Sequence, residues 1–166
     1  AMHYASSVFE GERCYNGKIF KSRDHSARLI QSGNLIDFEL PYSVDEIEAA
    51  KEAALEANGL TNAYVRAVAW RGAGEDMGVA SAKNPVHMAV ACWEWPSYMD
   101  PEAKKKGISI IKSPYQQYEN PLYSNNKIIG TYINSIMALH DALAKNADEA
   151  ILLDKNGFIS EGSGEN

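Results

Sequence analysis

The stretch YSNNKIIGTYINS, residues 123–135, places a lysine where a polar loop meets a helix. Upstream, PYQQYENPLYSNN (114–126) is polar and carries two prolines, which reads as a loop. Downstream, from about Gly130, Ile133, Ile136, Leu139 and Leu143 recur at helical spacing. Lys127 therefore stands at a loop-to-helix junction, with Ile128, Ile129 and Gly130 behind it. A lysine there is either a solvated surface cation or an amine drawn into a pocket, where desolvation lowers its pKa and makes it nucleophilic. The local sequence leaves both readings open.

Two hairpin signals lie on either side of this junction. ERCY and KIFK flank Asn16-Gly17, the dipeptide that best tolerates the two left-handed residues of a type I′ turn, and EAILLDKNGFISEG (149–162) sets Asn156-Gly157 between apolar runs. A helix carrying Arg28, Leu29 and Ile30 is predicted from about Asp24 to Gly33-Asn34. In YSVDEIEAAKEAALEANG (42–59), Ser43 and Glu46 form a capping box, Ile47, Ala50, Ala54 and Ala57 share a face, and Gly59 is a stop signal. AYVRAVAW (63–70) and VHMAVACWEW (86–95) read as strands joined by a glycine-rich loop over 72–84, and alternation puts Tyr64 and Arg66 on one face. WPSYMDPEAKKKG (95–107) reads as a crossover and ISIIKS (108–113) as a strand. Helices alternating with strands, together with two local hairpins, predict an α/β (mixed α+β) fold with mixed or antiparallel sheets.

Composition excludes several classes. A formal net charge of -6 argues against a nucleic-acid binder, and Lys104-Lys105-Lys106 reads as a solvated helix face. No apolar run is long enough to span a bilayer, and the N-terminus lacks a basic region followed by an apolar stretch, so no membrane partner is expected. Cys14 and Cys92 match no zinc or redox spacing, which predicts a reduced, cytoplasmic protein and no metal site. His3, His25, His87 and His140 are scattered and read as structural or surface residues. There is no Gly-x-Ser-x-Gly elbow and no dinucleotide fingerprint, and the acidic residues of RGAGEDMG (71–78) would repel a phosphate.

Six segments carry a more specific signal: HYASSVFEG (3–11), DHSARL (24–29), AYVR (63–66), WEWPSY (93–98), KIIGTY (127–132) and SEGSGEN (160–166). In order and separation they resemble the branched-chain aminotransferases, fold-type IV enzymes that use pyridoxal 5'-phosphate (PLP). The resemblance implies a two-domain fold like that of D-amino-acid aminotransferase. Its small α/β domain would cover residues 1–96 without a first strand, the interdomain crossover 97–106, and the beginning of the large PLP-binding domain 107–166. It also implies that this sequence is a fragment, leaving a sheet edge and part of a core uncovered and binding PLP poorly or not at all.

The implied reaction is transamination of leucine, isoleucine or valine with 2-oxoglutarate, giving branched 2-oxo acids and glutamate. By resemblance, Lys127 forms the Schiff base with PLP and moves a proton between the substrate α-carbon and the cofactor's C4′. Glu161 pairs with the pyridine nitrogen, Tyr132 bonds the 3′-oxygen and Arg28 grips the phosphate. Arg66, Tyr4 and Tyr98 would receive the side-chain carboxylate of glutamate, while Phe9, Gly11 and Trp95 wall the pocket for branched side chains. Tyr4 would serve the neighbouring subunit, which implies a homodimer or higher homo-oligomer.

Away from the resemblance, Phe9 and Trp95 also suit a simple core, and Arg28 and Glu161 suit surface ion pairs and turns. The chain departs from the family pattern in three places. SPYQQYENPLYSNN (113–126) lacks the usual arginine, Ala67 stands where a proline commonly follows the arginine, and Glu12 stands where an apolar residue is common. Rival readings are a D-amino-acid aminotransferase, an amine transaminase, aminodeoxychorismate lyase, or a non-catalytic binding or assembly module on the same fold.

Overall fold

Side-chain parity along the strands organises the first part of the chain. The structure, a computed structural model, describes residues 1–74, 78–79, 82–95, 101–118, 120 and 126–165. Strands β1 (Ser7–Phe9) and β2 (Glu12–Tyr15) pair antiparallel with β4 (Ala63–Arg71). The registers Phe9↔Val68 and Glu12↔Val65 are continuous across Glu10 and Gly11, where the Glu10 N–H donates to the Ala67 carbonyl at 2.8 Å. Strand β3 (Lys18–Ile19) closes the hairpin with β2, and β5 (Val86–Trp93) pairs antiparallel with β4. Asn16 and Gly17 have φ of 50° and 78°, the two left-handed residues expected of the turn.

Burial alternates along β4. Ala63, Val65, Ala67, Ala69 and Arg71 are buried, while Tyr64, Arg66, Val68 and Trp70 are half-buried. Helices α1 (Ser22–Leu35) and α2 (Val44–Ala57) pack on this sheet, and Cys14, Leu55, Ala63 and Val65 form a core beneath α2. The Ser43–Glu46 capping box is present: Ser43 Oγ accepts the Glu46 N–H, and the Glu46 carboxylate accepts the Ser43 N–H at 2.7 Å. The buried stripe of α2 differs from the one expected. It runs Ile47, Lys51, Leu55, whereas Ala50 and Ala54 are half-buried and Ala57 is exposed. Lys51 can lie inside because its ammonium donates to Glu12 at 2.8 Å and to the Ser22 carbonyl at 3.1 Å, and pairs with Glu48 at 2.8 Å.

The second part has a mixed sheet. Strand β6 (Ile110–Gln116) runs parallel to β7 (Glu149–Leu153), which is antiparallel to β8 (Ile159–Gly162). Strand β6 extends through Pro114, beyond the expected end at Ser113, and its register shifts between Lys112 and Gln116, where a missing N–H is tolerated. The β7–β8 turn is organised by Asp154, whose carboxylate accepts the N–H of Asn156 at 2.9 Å and of Phe158 at 2.8 Å. Of the Asn156-Gly157 pair only Gly157 is left-handed, with φ 87°. Helix α3 spans Pro101–Lys106, and α4 (Tyr132–Ala144) follows a 3-10 turn over Ile129–Thr131.

The apolar positions that recur along α4 are not its buried face. Ala138 and Ala142 pack against Ala147, Ala150 and Leu152, while Ile133, Ile136 and Leu143 are 63%, 47% and 54% exposed. The small alanines let α4 approach β6 and β7 closely, and the larger side chains therefore point elsewhere.

The chain divides into two compact units, Ala1–Pro96 with Asn125–Gly130, and Ser97–Ser124 with Thr131–Asn166. Lys127 thus falls in the first unit, outside the block of 107–166 expected from the sequence. Ile128 bridges Val8, and the Phe9 N–H donates to the Lys127 carbonyl at 3.1 Å.

Candidate active site

Cross-strand partners share a face, so the β4 register sorts the residues of VFEGERCY. Val8, Glu10, Glu12 and Cys14 point with the buried residues of β4. Phe9, Gly11 and Arg13 point the other way, with Tyr64 and Arg66.

On that second face Arg66 is the centre. Its guanidinium carbon lies 4.3 Å from the centroid of the Phe9 ring and 5.2 Å from that of Tyr64. Its Nη2 donates to the Tyr64 hydroxyl at 2.7 Å. Its Nε is buried and has no hydrogen-bond partner among the described residues. Gly11 leaves room for this arrangement, because a Cβ there would stand 2.1 Å from Tyr64 Oη. The Tyr64 ring packs against Trp93 at 5.0 Å and Trp95 at 4.7 Å, and Arg13 donates to the Trp95 carbonyl at 2.8 Å. Lys127 joins the group, with its ammonium 5.4 Å from the Phe9 ring centroid and its N–H directed at Ser32 Oγ at 3.4 Å. A guanidinium with an orphaned donor among the described residues and a primary amine therefore flank one phenylalanine ring, with Tyr64 and the two tryptophans packed on from the guanidinium.

Arg28 lies on the helix side of the same sheet. Its Nε and Nη2 donate to the two carboxylate oxygens of Glu10 at 2.5 and 2.7 Å, and His25 Nδ1 is 2.7 Å from Glu10 Oε2. Burial opposes ionisation of Glu10, but the hydrogen bonds of Arg28 and His25 outweigh it and hold the carboxyl below its usual range. Glu10 occupies two of the five N–H donors of the guanidinium and fixes its plane.

Of the remaining expected residues, Tyr4 is 50% exposed on the N-terminal turn and Tyr98 lies outside the described residues. Tyr132 and Glu161 belong to the second unit and are both half-buried. Glu161 faces Leu152 in the β7–β8 ladder, and its carboxylate accepts a hydrogen bond from Gln117 Nε2. Tyr64, Glu10 and Gln117 were not singled out by sequence reasoning. Only Tyr64 left a usable signal, its shared parity with Arg66. Among the described residues no cluster of three His, Cys, Asp or Glu side chains could hold a metal ion.

The chemistry of two first-unit side chains suits a phosphorylated pyridine aldehyde: Lys127 offers a primary amine against an aromatic ring, and Arg28 a guanidinium whose plane Glu10 fixes.

The family model for class IV amino-transferases matches residues 7–166. Branched-chain-amino-acid aminotransferase of Pseudomonas aeruginosa is 39% identical over 170 residues, covering 99% of this chain and 55% of its own. The protein of that name from Escherichia coli K12 is 34% identical over 174 residues, covering 100% of this chain and 55% of its own. The crystal structure of T.th. branched-chain amino acid aminotransferase with pyridoxamine 5'-phosphate superimposes with a TM-score of 0.90 at 40% identity, over 100% of this chain and 56% of that one. A second structure, of the same enzyme complexed with N-(5'-phosphopyridoxyl)-L-glutamate, gives a TM-score of 0.86 at 38% identity, over 100% of this chain and 54% of that one. The chain spans about half the length of these relatives. The expected fold-type IV architecture is thereby borne out.

Proposed function

Since the chain belongs to the class IV aminotransferase family, we propose that the protein exchanges amino groups between branched-chain L-amino acids and 2-oxoglutarate, with PLP as cofactor. The observation that carries this reading is the buried Nε of Arg66, which has no hydrogen-bond partner among the described residues and is held over Phe9 in the unit that also contains Lys127. A buried guanidinium donor without an acceptor favours an incoming anion, here the side-chain carboxylate of glutamate or 2-oxoglutarate. Phe9 and Trp95 offer the same substrate position apolar surface, which suits leucine, isoleucine and valine.

When bound, PLP supplies an electron sink for the charge left at the substrate α-carbon. Lys127 would hold the cofactor through its amine and would serve as the acid/base that moves the proton at the substrate α-carbon. Glu161 would hold a proton at the ring nitrogen, Tyr132 would donate to the 3′-oxygen, and Arg28, its plane fixed by Glu10, would bind the phosphate. Tyr4 and Tyr98 complete the carboxylate site, with Tyr4 serving a second copy of the chain in a homodimer. The reduced cysteines suit a cytoplasmic location.

Borohydride reduction of the full-length holoprotein is expected to fix PLP irreversibly on Lys127, and Lys127→Ala to abolish the adduct. Leucine and valine should transfer to 2-oxoglutarate faster than D-alanine or a simple aromatic amine transfers to pyruvate. An adduct that survives in Lys127→Ala, or a faster D-alanine reaction, overturns the reading.

A further inference from the structure

Antiparallel pairing lays out the face that carries Arg66 in rows across the strands. Phe9, Val68 and Ala89 make one row, Arg13, Tyr64 and Trp93 another, and Arg66 lies between them with Ala91 as its partner on β5. On its other side stands Gly11, which falls between Phe9↔Val68 and Glu12↔Val65 in the register. Arg66 is therefore flanked across the sheet by a glycine and an alanine, with Phe9 in the row on one side and Tyr64 and Trp93 in the row on the other. The two flanks are used differently. On the Gly11 flank the guanidinium carbon lies 4.3 Å from the Phe9 ring centroid and Nη2 donates to the Tyr64 hydroxyl at 2.7 Å, and that hydroxyl fills the space a Cβ at Gly11 would take. On the β5 flank Ala91 is exposed and adds nothing beyond a Cβ, which in a directly opposed pair stands about 5 Å from that of Arg66.

We propose that Ala91 is a specificity-determining residue, whose small side chain keeps the β5 flank of Arg66 as the approach for an acidic substrate side chain. The inference rests on the role of Arg66 under the proposed function. The two substrate classes make unequal demands on that flank. A carboxylate must come within about 2.9 Å of a guanidinium nitrogen to gain a charge-assisted hydrogen bond. A branched hydrocarbon needs only apolar surface, which the aromatic side chains of the adjoining rows offer. Methyl groups added at position 91 would lay hydrocarbon along the guanidinium, costing a carboxylate its hydrogen bonds while giving leucine more contact. Choice between the substrates then depends on volume at one position of β5.

The test uses the full-length protein loaded with PLP and compares kcat/KM for glutamate with kcat/KM for leucine. Ala91→Val is expected to lower the glutamate-to-leucine ratio about ten-fold, mainly by raising KM for glutamate, and Ala91→Leu to lower it further. Valine suits an exposed strand position better than alanine, so the thermal unfolding midpoint of Ala91→Val should not fall. A ratio that stays at the wild-type value in both variants overturns the inference. So does an equal loss with both substrates, which would make position 91 a general packing site. Should Ala91→Leu not fold, the ratio in Ala91→Val decides alone. Wild-type protein that transfers the amino group of neither leucine nor glutamate would remove the proposed function itself, and this inference with it.

Discussion

A single missing methyl group controls the geometry around Arg66. Gly11 is not in the left-handed region, so Gly11→Ala costs little in the backbone, but its Cβ would stand 2.1 Å from Tyr64 Oη. The hydroxyl must then leave Arg66, and kcat/KM of the full-length enzyme should fall between about 10- and 100-fold, with the urea unfolding midpoint nearly unchanged. Phe9, Gly11 and Arg66 were legible because they sit in motifs. Of Tyr64 only the shared parity with Arg66 was legible, because its approach to Gly11 appears only when a strand near the N-terminus is registered against one about fifty residues on. Glu10 carries a different prediction. Its carboxyl, opposed by burial but more strongly favoured by Arg28 and His25, titrates below the ordinary value of 4.5. It therefore contributes stability that is present above that value and is lost as pH falls through the lower, folded one. Urea midpoints followed from about pH 7 to about pH 3 should decline on the acid side, and Glu10→Gln should flatten that decline at the cost of lower stability near neutrality.

At the scale of the element, α2 shows how a helix can hide a charge. Periodicity alone selects alanines for its inner face, since a lysine counts as polar in any such reading. The partner that lets Lys51 turn inward, Glu12, lies on a different element, and neither side chain has any exposure. Glu12 had stood out only as a departure from an apolar position, so the departure and the buried lysine explain each other. Lys51→Met should destabilise by about 3–5 kcal/mol in urea denaturation, because it strands a buried carboxylate, whereas Lys51→Met combined with Glu12→Ile should lie near wild type. A double mutant as unstable as the single one would show that the ion pair is not the reason Lys51 is inside. Ser43→Ala tests the helix start independently, with an expected loss of about 1 kcal/mol.

For the molecule as a whole, the question is what the surface leaves bare. Ile133, Ile136, Met137 and Leu143 on α4, with Phe158 and Ile159 at the start of β8, are all more than 40% exposed. The 166-residue polypeptide on its own should bind a hydrophobic dye and elute above 18.3 kDa, and Ile133→Lys with Ile136→Lys should reduce both effects. A monomer that ignores the dye would refute this. The helical period of α4 was legible, but which arc of it is covered depends on how close its alanines come to the sheet, and period carries no such information. The strand that runs from Val8 to Cys14 has a consequence of another kind. Its even-numbered side chains meet the helices, and its odd-numbered ones meet Arg66 and Tyr64. Saturation mutagenesis of the full-length gene should therefore give a signal that alternates residue by residue, with abundance falling at 8, 10, 12 and 14 and turnover falling at 9 and 11. Two selections acting on adjacent positions would then evolve almost independently along one short segment of chain.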